Sequence, residues 1–156
     1  RTDVSFMVYQ DVENRFRWIN KFVGEWANDT RFFTSDIPVY RLAEALLMKA
    51  EVENALGNTP DAVGYLNDVA ERAYGVEDYY PANLSAAEVD EKIVDETMKE
   101  FVSEGKIWWA FVRFGVAFDR VATLTGREDE TNLLLWPVAS ACINTNPKIE
   151  QTEGYN

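Results

Sequence analysis

From residue 42 onward, apolar side chains recur at steps of three and four, the spacing that places them on one side of a helix. Leu42, Leu46 and Ala50, with Ala43 and Leu47, predict a first helix whose apolar face runs to Leu56 and which Gly57 closes. Ile37-Pro38 precedes it, and proline suits the first turn of a helix, so the entry is expected there. Thr59-Pro60 reads as an N-cap followed by proline at the first helical position, with Ala62, Leu66, Val69, Ala70 and Ala73 as the next face and Gly75 as its stop. Two helices joined by so short a turn pack antiparallel. Ser85-Ala86-Ala87-Glu88 is a capping box that opens a third helix on Val89, Ile93, Val94, Thr97, Phe101 and Val102, broken or bent at Ser103-Glu104-Gly105. Ile107 to Phe114 is again apolar at helical spacing, and Gly115 and Gly126 bracket a further helix through Val121.

Before residue 37 the pattern changes. Val4 to Tyr9 and Phe16 to Val23 mix β-branched and aromatic residues with polar ones and predict a hairpin joined through Asp11-Val12-Glu13-Asn14. Gly24 to Asp36 reads as a polar, breaker-containing loop. After the polar loop 127–132, Leu133 to Pro137 reads as a short extended stretch. The tail to Asn156 is expected to be irregular and packed by Trp136, Ile143 and Ile149. The chain is therefore mainly α, divided into a hairpin and loop (1–36), a helix pair (37–75), further helices (84–126) and a tail (127–156). It is either one domain or the C-terminal part of a larger one.

Composition narrows the chemistry. Hydrophobic residues make up 47% of 156, enough for a real core. A formal net charge of -12 repels phosphate backbones and anionic headgroups, which argues against nucleic acid as a partner. Histidine is absent, and with it go the commonest general base, the usual zinc ligand and every Ser-His or Cys-His nucleophile pair. No catalytic set, metal site or cofactor is expected. Cys142 has no partner for an internal disulfide and is expected to be a buried structural thiol. The apolar runs are far shorter than the roughly 20 residues of a membrane helix. A carboxylate pair, as in a glycoside hydrolase, has ordinary solvated helix faces as its simpler reading, Glu96 included. Glu128-Asp129-Glu130 lacks the spacing of a calcium loop.

Small Ala50, Gly57 and Ala62 make the first helix pair resemble a tetratricopeptide repeat, in which small residues let helices approach closely. A more specific resemblance covers about three quarters of the chain. Asp36 to Glu44, Lys49-Ala50-Glu51, Leu56-Gly57-Asn58 and Leu66-Asn67 come first. Glu96, Glu100 to Lys106, Trp108 and Val112-Arg113-Phe114-Gly115 follow, then Trp136-Pro137-Val138, Asn144, Asn146-Pro147, Gln151 and Gly154-Tyr155. In that order they resemble the C-terminal part of the SusD/RagB family of outer-membrane nutrient-binding lipoproteins. The resemblance implies a SusD-like α-α superhelix of tetratricopeptide-like helix pairs. It also implies non-catalytic oligosaccharide binding on the outer face of a Gram-negative outer membrane, anchored by a lipid outside this chain, with delivery to a SusC-like TonB-dependent transporter. Thr97, Ile107, Ala110 and Ala139 depart from the family's usual residues, and Ile107 and Ala110 suggest that packing replaces a polar contact between helices.

Sugar rings offer apolar C–H faces to an aromatic plane while their hydroxyls seek Asp, Asn, Arg or Gln. Trp18 and Trp26, with Phe32 and Phe33, lie in or beside extended and loop chain, and Asn28, Asp29 and Arg31 surround Trp26. Tyr79 and Tyr80 form a second candidate group in the loop before the third helix. Each of these aromatics has a packing role as its alternative. Of Trp108 and Trp109, which point about 100° apart on a helix, one is expected in the core. The other class of function open to such a chain is a helical-repeat scaffold that binds a protein or peptide in a groove.

Overall fold

The computed structural model describes residues 6–10, 15–19 and 21–155, with residues 6–10 and 15–18 known through their backbone pairing. The chain divides into two units, Arg1–Ala110 and Phe111–Asn156.

In the first unit, β1 (Phe6–Gln10) and β2 (Arg15–Ile19) pair antiparallel in a register that runs from Phe6 opposite Ile19 to Gln10 opposite Arg15. The expected hairpin is present, although the second strand ends at Ile19 and leaves Phe22 and Val23 outside it. Val4, Ser5 and the connection 11–14 lie outside the described residues. A second hairpin was not anticipated: β3 (Glu25–Ala27) pairs with β4 (Thr30–Phe32) through Asn28-Asp29. Both turn residues have positive φ (49° and 58°), the two-residue I′ geometry that Asn and Asp tolerate and that matches strand twist.

Helix α1 (Leu42–Ala55) begins at an extended N-cap, Arg41, so Pro38 does not open it. Its buried side is Ala43, Leu47, Ala50 and Asn54, while Leu42 and Leu56 are exposed. The Leu42/Leu46 row lies one position, about 100°, around the helix from the buried row. Helix α2 (Thr59–Tyr74) buries Ala62, Val63, Leu66, Val69 and Ala70 and stops at Gly75 in the left-handed region, as expected. Its N-cap is Asn58; Thr59 is already helical, and its hydroxyl donates to Asn54 Oδ1 instead. Helix α3 (Ala86–Glu100) carries the Ser85/Glu88 capping box in full. α1 packs on α2, and α3 packs on both. Ala50 and Ala62 are completely buried, which supports the reading that small residues permit close approach.

Helix α4 (Ile107–Arg113) carries Trp108, half-buried, and Trp109, 54% exposed; the pair divides as helical phase requires, but neither ring reaches the core expected for one of them. Ala110 is buried, consistent with packing at that position.

In the second unit the helix expected between Gly115 and Gly126 is short: α5 is Ala117–Arg120. Thr131–Leu134 forms a 3-10 turn that takes in Leu133 and Leu134, the start of the expected extended stretch, and Leu135 resumes an extended backbone. The tail is less irregular than its composition suggests, since α6 spans Ser140–Thr145. Ile143 and Ile149 are half-buried, but Trp136 is 70% exposed and does not anchor the tail. Cys142 is exposed, contrary to expectation, because α6 buries none of its residues. The tail is secured by backbone and amide contacts instead: Gln151 accepts from Val138 N and donates to Val138 O, and Tyr155 donates to Leu135 O.

Candidate functional site

The β3–β4 hairpin gathers four of the residues proposed from the sequence. Trp26 stands directly opposite Arg31, and directly opposed side chains lie on one face of an antiparallel pair. Asn28 and Asp29 form the tip. The Trp26 indole is 69% exposed. Arg31 is held in place, with Nε donating to Val23 O at 2.7 Å and its guanidinium 4.9 Å from the centre of the Phe33 ring. Gly24 seats the hairpin's start: its φ is +67°, and a Cβ there would stand 2.0 Å from the carbonyl oxygen of Phe32. Only glycine fits that approach. The arrangement offers an aromatic face, a cation and two short polar side chains at one exposed tip, able to stack on an apolar face and hydrogen-bond polar groups beside it. Trp18 pairs with Met7 in the first hairpin; its side chain lies outside the described set.

Tyr79 and Tyr80 belong to a different assembly. Tyr80 is buried, its backbone held both ways by Asn67, whose Oδ1 accepts from Tyr80 N at 2.8 Å and whose Nδ2 donates to Tyr80 O at 2.9 Å. Its hydroxyl donates to Oε1 of Glu96 at 2.8 Å, and the Tyr74 hydroxyl and Lys99 Nζ reach the same oxygen at 3.1 Å each. Glu96 is therefore not on a solvated face as expected; it is wholly buried. Burial pushes the Tyr80 phenol up, reinforced by the Glu96 carboxylate, so it remains a donor. For Lys99 burial acts downward, but the hydrogen bond and charge of Glu96 outweigh it and the ammonium is raised. With its ring enclosed, Tyr80 ties the loop to α3 and offers no stacking face. Tyr79, 44% exposed, stacks on Tyr74 at 4.5 Å and meets Tyr80 edge-on at 4.9 Å.

A second buried charge cluster escaped sequence reasoning. Glu100 and Glu104 lie at the end of α3 and just beyond it, each with a nearly buried side chain. Arg41 donates to both carboxylates, Lys21 to Glu104 and Arg72 to Glu100. Arg41 also lies 4.2 Å from the centre of the Phe101 ring. Burial acts to raise the Glu104 carboxyl, but Arg41 and Lys21 overcome it and hold the group below the usual carboxylate range. A sequence signal existed: Glu96 and Glu100 continue the stripe of Val89 and Ile93 where an apolar residue would be expected. Among the described residues no acidic group is arranged to hold a metal ion. No helix among them is long and apolar enough to cross a membrane.

A sequence model of the SusD family matches residues 7–155. "SusD-like protein P25" of Formosa agariphila is 31% identical over 137 residues, covering 83% of this chain and 26% of the relative. "SusD-like protein P38" of the same organism is 28% identical over 128 residues, 78% of this chain and 25% of the relative. "Starch-binding protein SusD" of Bacteroides thetaiotaomicron is 28% identical over 147 residues, 89% of this chain and 25% of the relative. The chain thus spans about a quarter of the length of these relatives. No solved structure matches it significantly.

Proposed function

The chain belongs to the SusD family, and from that premise we propose that it is part of a non-catalytic protein that binds oligosaccharides on the surface of a Gram-negative bacterium. The protein is lipid-anchored to the outer face of the outer membrane and delivers its ligand to a SusC-like TonB-dependent transporter. The observation that carries the reading is the match along residues 7–155, with a relative named for starch binding among the similar proteins. The β3–β4 hairpin supports it with a surface of the right chemistry. Trp26 is the stacking platform, Arg31 supplies a donor beside it, and Asn28 and Asp29 reach ring hydroxyls. Tyr79 is a further exposed aromatic of the candidate set. Tyr80 is assigned to holding the loop.

A glycan array followed by calorimetry on the intact protein tests the proposal. It predicts saturable binding of at least one oligosaccharide class, recovery of that sugar chemically unchanged, and co-purification with a TonB-dependent transporter. The reading fails if no oligosaccharide binds saturably, or if shorter products appear, which would mark an enzyme. Peptide binding without sugar binding would instead favour the helical-repeat scaffold.

A further inference from the structure

The segment that carries Trp26 has no apolar anchor of its own. Every residue from Glu25 to Tyr40 is exposed, including Trp26, Phe33, Ile37 and Tyr40. Hydrophobic burial therefore does not place residues 25–40; half-buried Phe22 and Val23 lie just before them, and polar contacts close the loop at its two ends. Lys21, at its start, donates to Glu104 Oε1 at 2.6 Å and to the Glu100 carbonyl at 2.6 Å. Arg41, at its end, donates to Glu104 Oε2 at 2.8 Å, to Glu104 Oε1 at 3.0 Å and to the same Glu100 carbonyl at 2.7 Å. The two ends of the loop thus meet on a single side chain. Lys106 adds a bond to Val39 O at 2.6 Å, and within the loop Gly24 N donates to Ser35 Oγ at 3.0 Å.

We propose that Glu104 is a positioning residue: its carboxylate clasps both ends of residues 21–41 into one closed loop and so fixes how the β3–β4 hairpin presents Trp26 to an oligosaccharide. The inference rests on the reading of Trp26 as a sugar platform, but its mechanical part stands separately. Three features favour Glu104 over a general surface ion pair. Both of its oxygens are used, its side chain is only 6% exposed, and its partners come from opposite ends of the same loop. A charge-assisted pair with bidentate geometry orients its partners as well as attracting them. With the clasp open, the loop explores many conformations, few of which hold the indole in place; if the competent fraction falls to a tenth, the apparent Kd rises about tenfold.

The test uses the intact protein in four forms: wild type, Glu104→Gln, Trp26→Ala and the double variant. Hydrogen exchange of peptides within 21–41 and titration with maltoheptaose are the readouts, the probe following from the starch-binding relative. Glu104→Gln is expected to speed exchange across 21–41 severalfold while α2 and α3 keep their protection, and to weaken maltoheptaose binding severalfold, by no more than Trp26→Ala does. In the Trp26→Ala background the same substitution is expected to change affinity no further, because Glu104 acts through Trp26. A merely stabilising ion pair would give additive losses. Unchanged exchange in 21–41, or additive effects in the double variant, overturns the inference. If wild type binds no maltoheptaose but the loop still loosens, the clasp stands and the sugar reading falls. Should Glu104→Gln fail to fold, Lys21→Gln opens one side of the same neck and is judged by the same exchange readout.

Discussion

At Glu96, hydroxyls from Tyr74 and Tyr80 and the ammonium of Lys99 converge on one oxygen of a carboxylate that water does not reach. A buried charge of this kind is tolerated only while its donors remain. Tyr80→Phe keeps the ring and removes one donor, so it is expected to cost about 1–3 kcal/mol in chemical denaturation and to lower Tm. An unchanged midpoint would mean that water substitutes freely for the phenol. Trp108 shows the other side of residue-scale reasoning. Its helical phase beside Trp109 was enough to divide the pair, but not to say how deep the inner ring lies. Being half-buried, Trp108→Ala should cost less than the about 3–5 kcal/mol of a fully enclosed tryptophan. Glu96, Glu100 and Glu104 were misread or overlooked because charge usually marks a solvated face. Their placement depends on cations and hydroxyls brought from Lys21, Arg41, Arg72, Tyr74 and Tyr80, and single-chain periodicity contains no such pairing.

At the scale of elements, local chemistry written into a few adjacent residues proved readable. Ser85 and Glu88 satisfy each other's backbone donors three residues apart, and Gly75 takes a φ of 67° that ends α2. Ser85→Ala should therefore destabilise the protein by about 1 kcal/mol, visible as a small fall in the denaturation midpoint, whereas Ser85→Asp should largely retain it. Element starts that depend on remote partners were not readable in this way. α1 opens at Arg41 rather than at Pro38, where Arg41 is held by Glu100 and Glu104. The Asn28-Asp29 turn was a local signal of a hairpin, but strands of three residues are too short for alternation to reveal them. In the tail, Asn and Pro content suggested irregular chain, while α6 and the 3-10 turn are short enough to sit between those breakers.

Across the whole molecule, the acidic excess and the paired carboxylates act in opposite directions on stability. The carboxyls of Glu88, Glu104, Glu128 and Glu130 are all held below their ordinary value. Hydrogen bonding to Ser85 comes first for Glu88, backbone N–H groups for Glu128 and Arg127 for Glu130; for Glu104 the cations prevail over burial. A carboxyl depressed on folding stabilises the folded state above its unfolded pKa and loses that contribution as pH falls through the folded value. Stability is therefore expected to be nearly level from pH 8 to about 5 and to decline below about 4.5, with Glu104→Gln showing a shallower decline. An equally steep decline in that variant would remove Glu104 from the acid response. The family, the helical class and the aromatic and polar residues of 26–31 were all approachable from sequence; the hairpin that groups them and the closure of residues 21–41 on one carboxylate were not.

Sugar binding at this exposed tip is decided by Trp26→Ala, in calorimetric titration of the intact protein with an array-selected oligosaccharide alongside its melting curve. With 69% of the indole already exposed, its removal is expected to leave Tm nearly unchanged. It should also weaken binding by about 1 kcal/mol or more, at least fivefold in Kd. Unaltered affinity in a folded Trp26→Ala protein, or unfolding of the variant with affinity per folded molecule intact, would mean that Trp26 packs the hairpin and does not carry sugar.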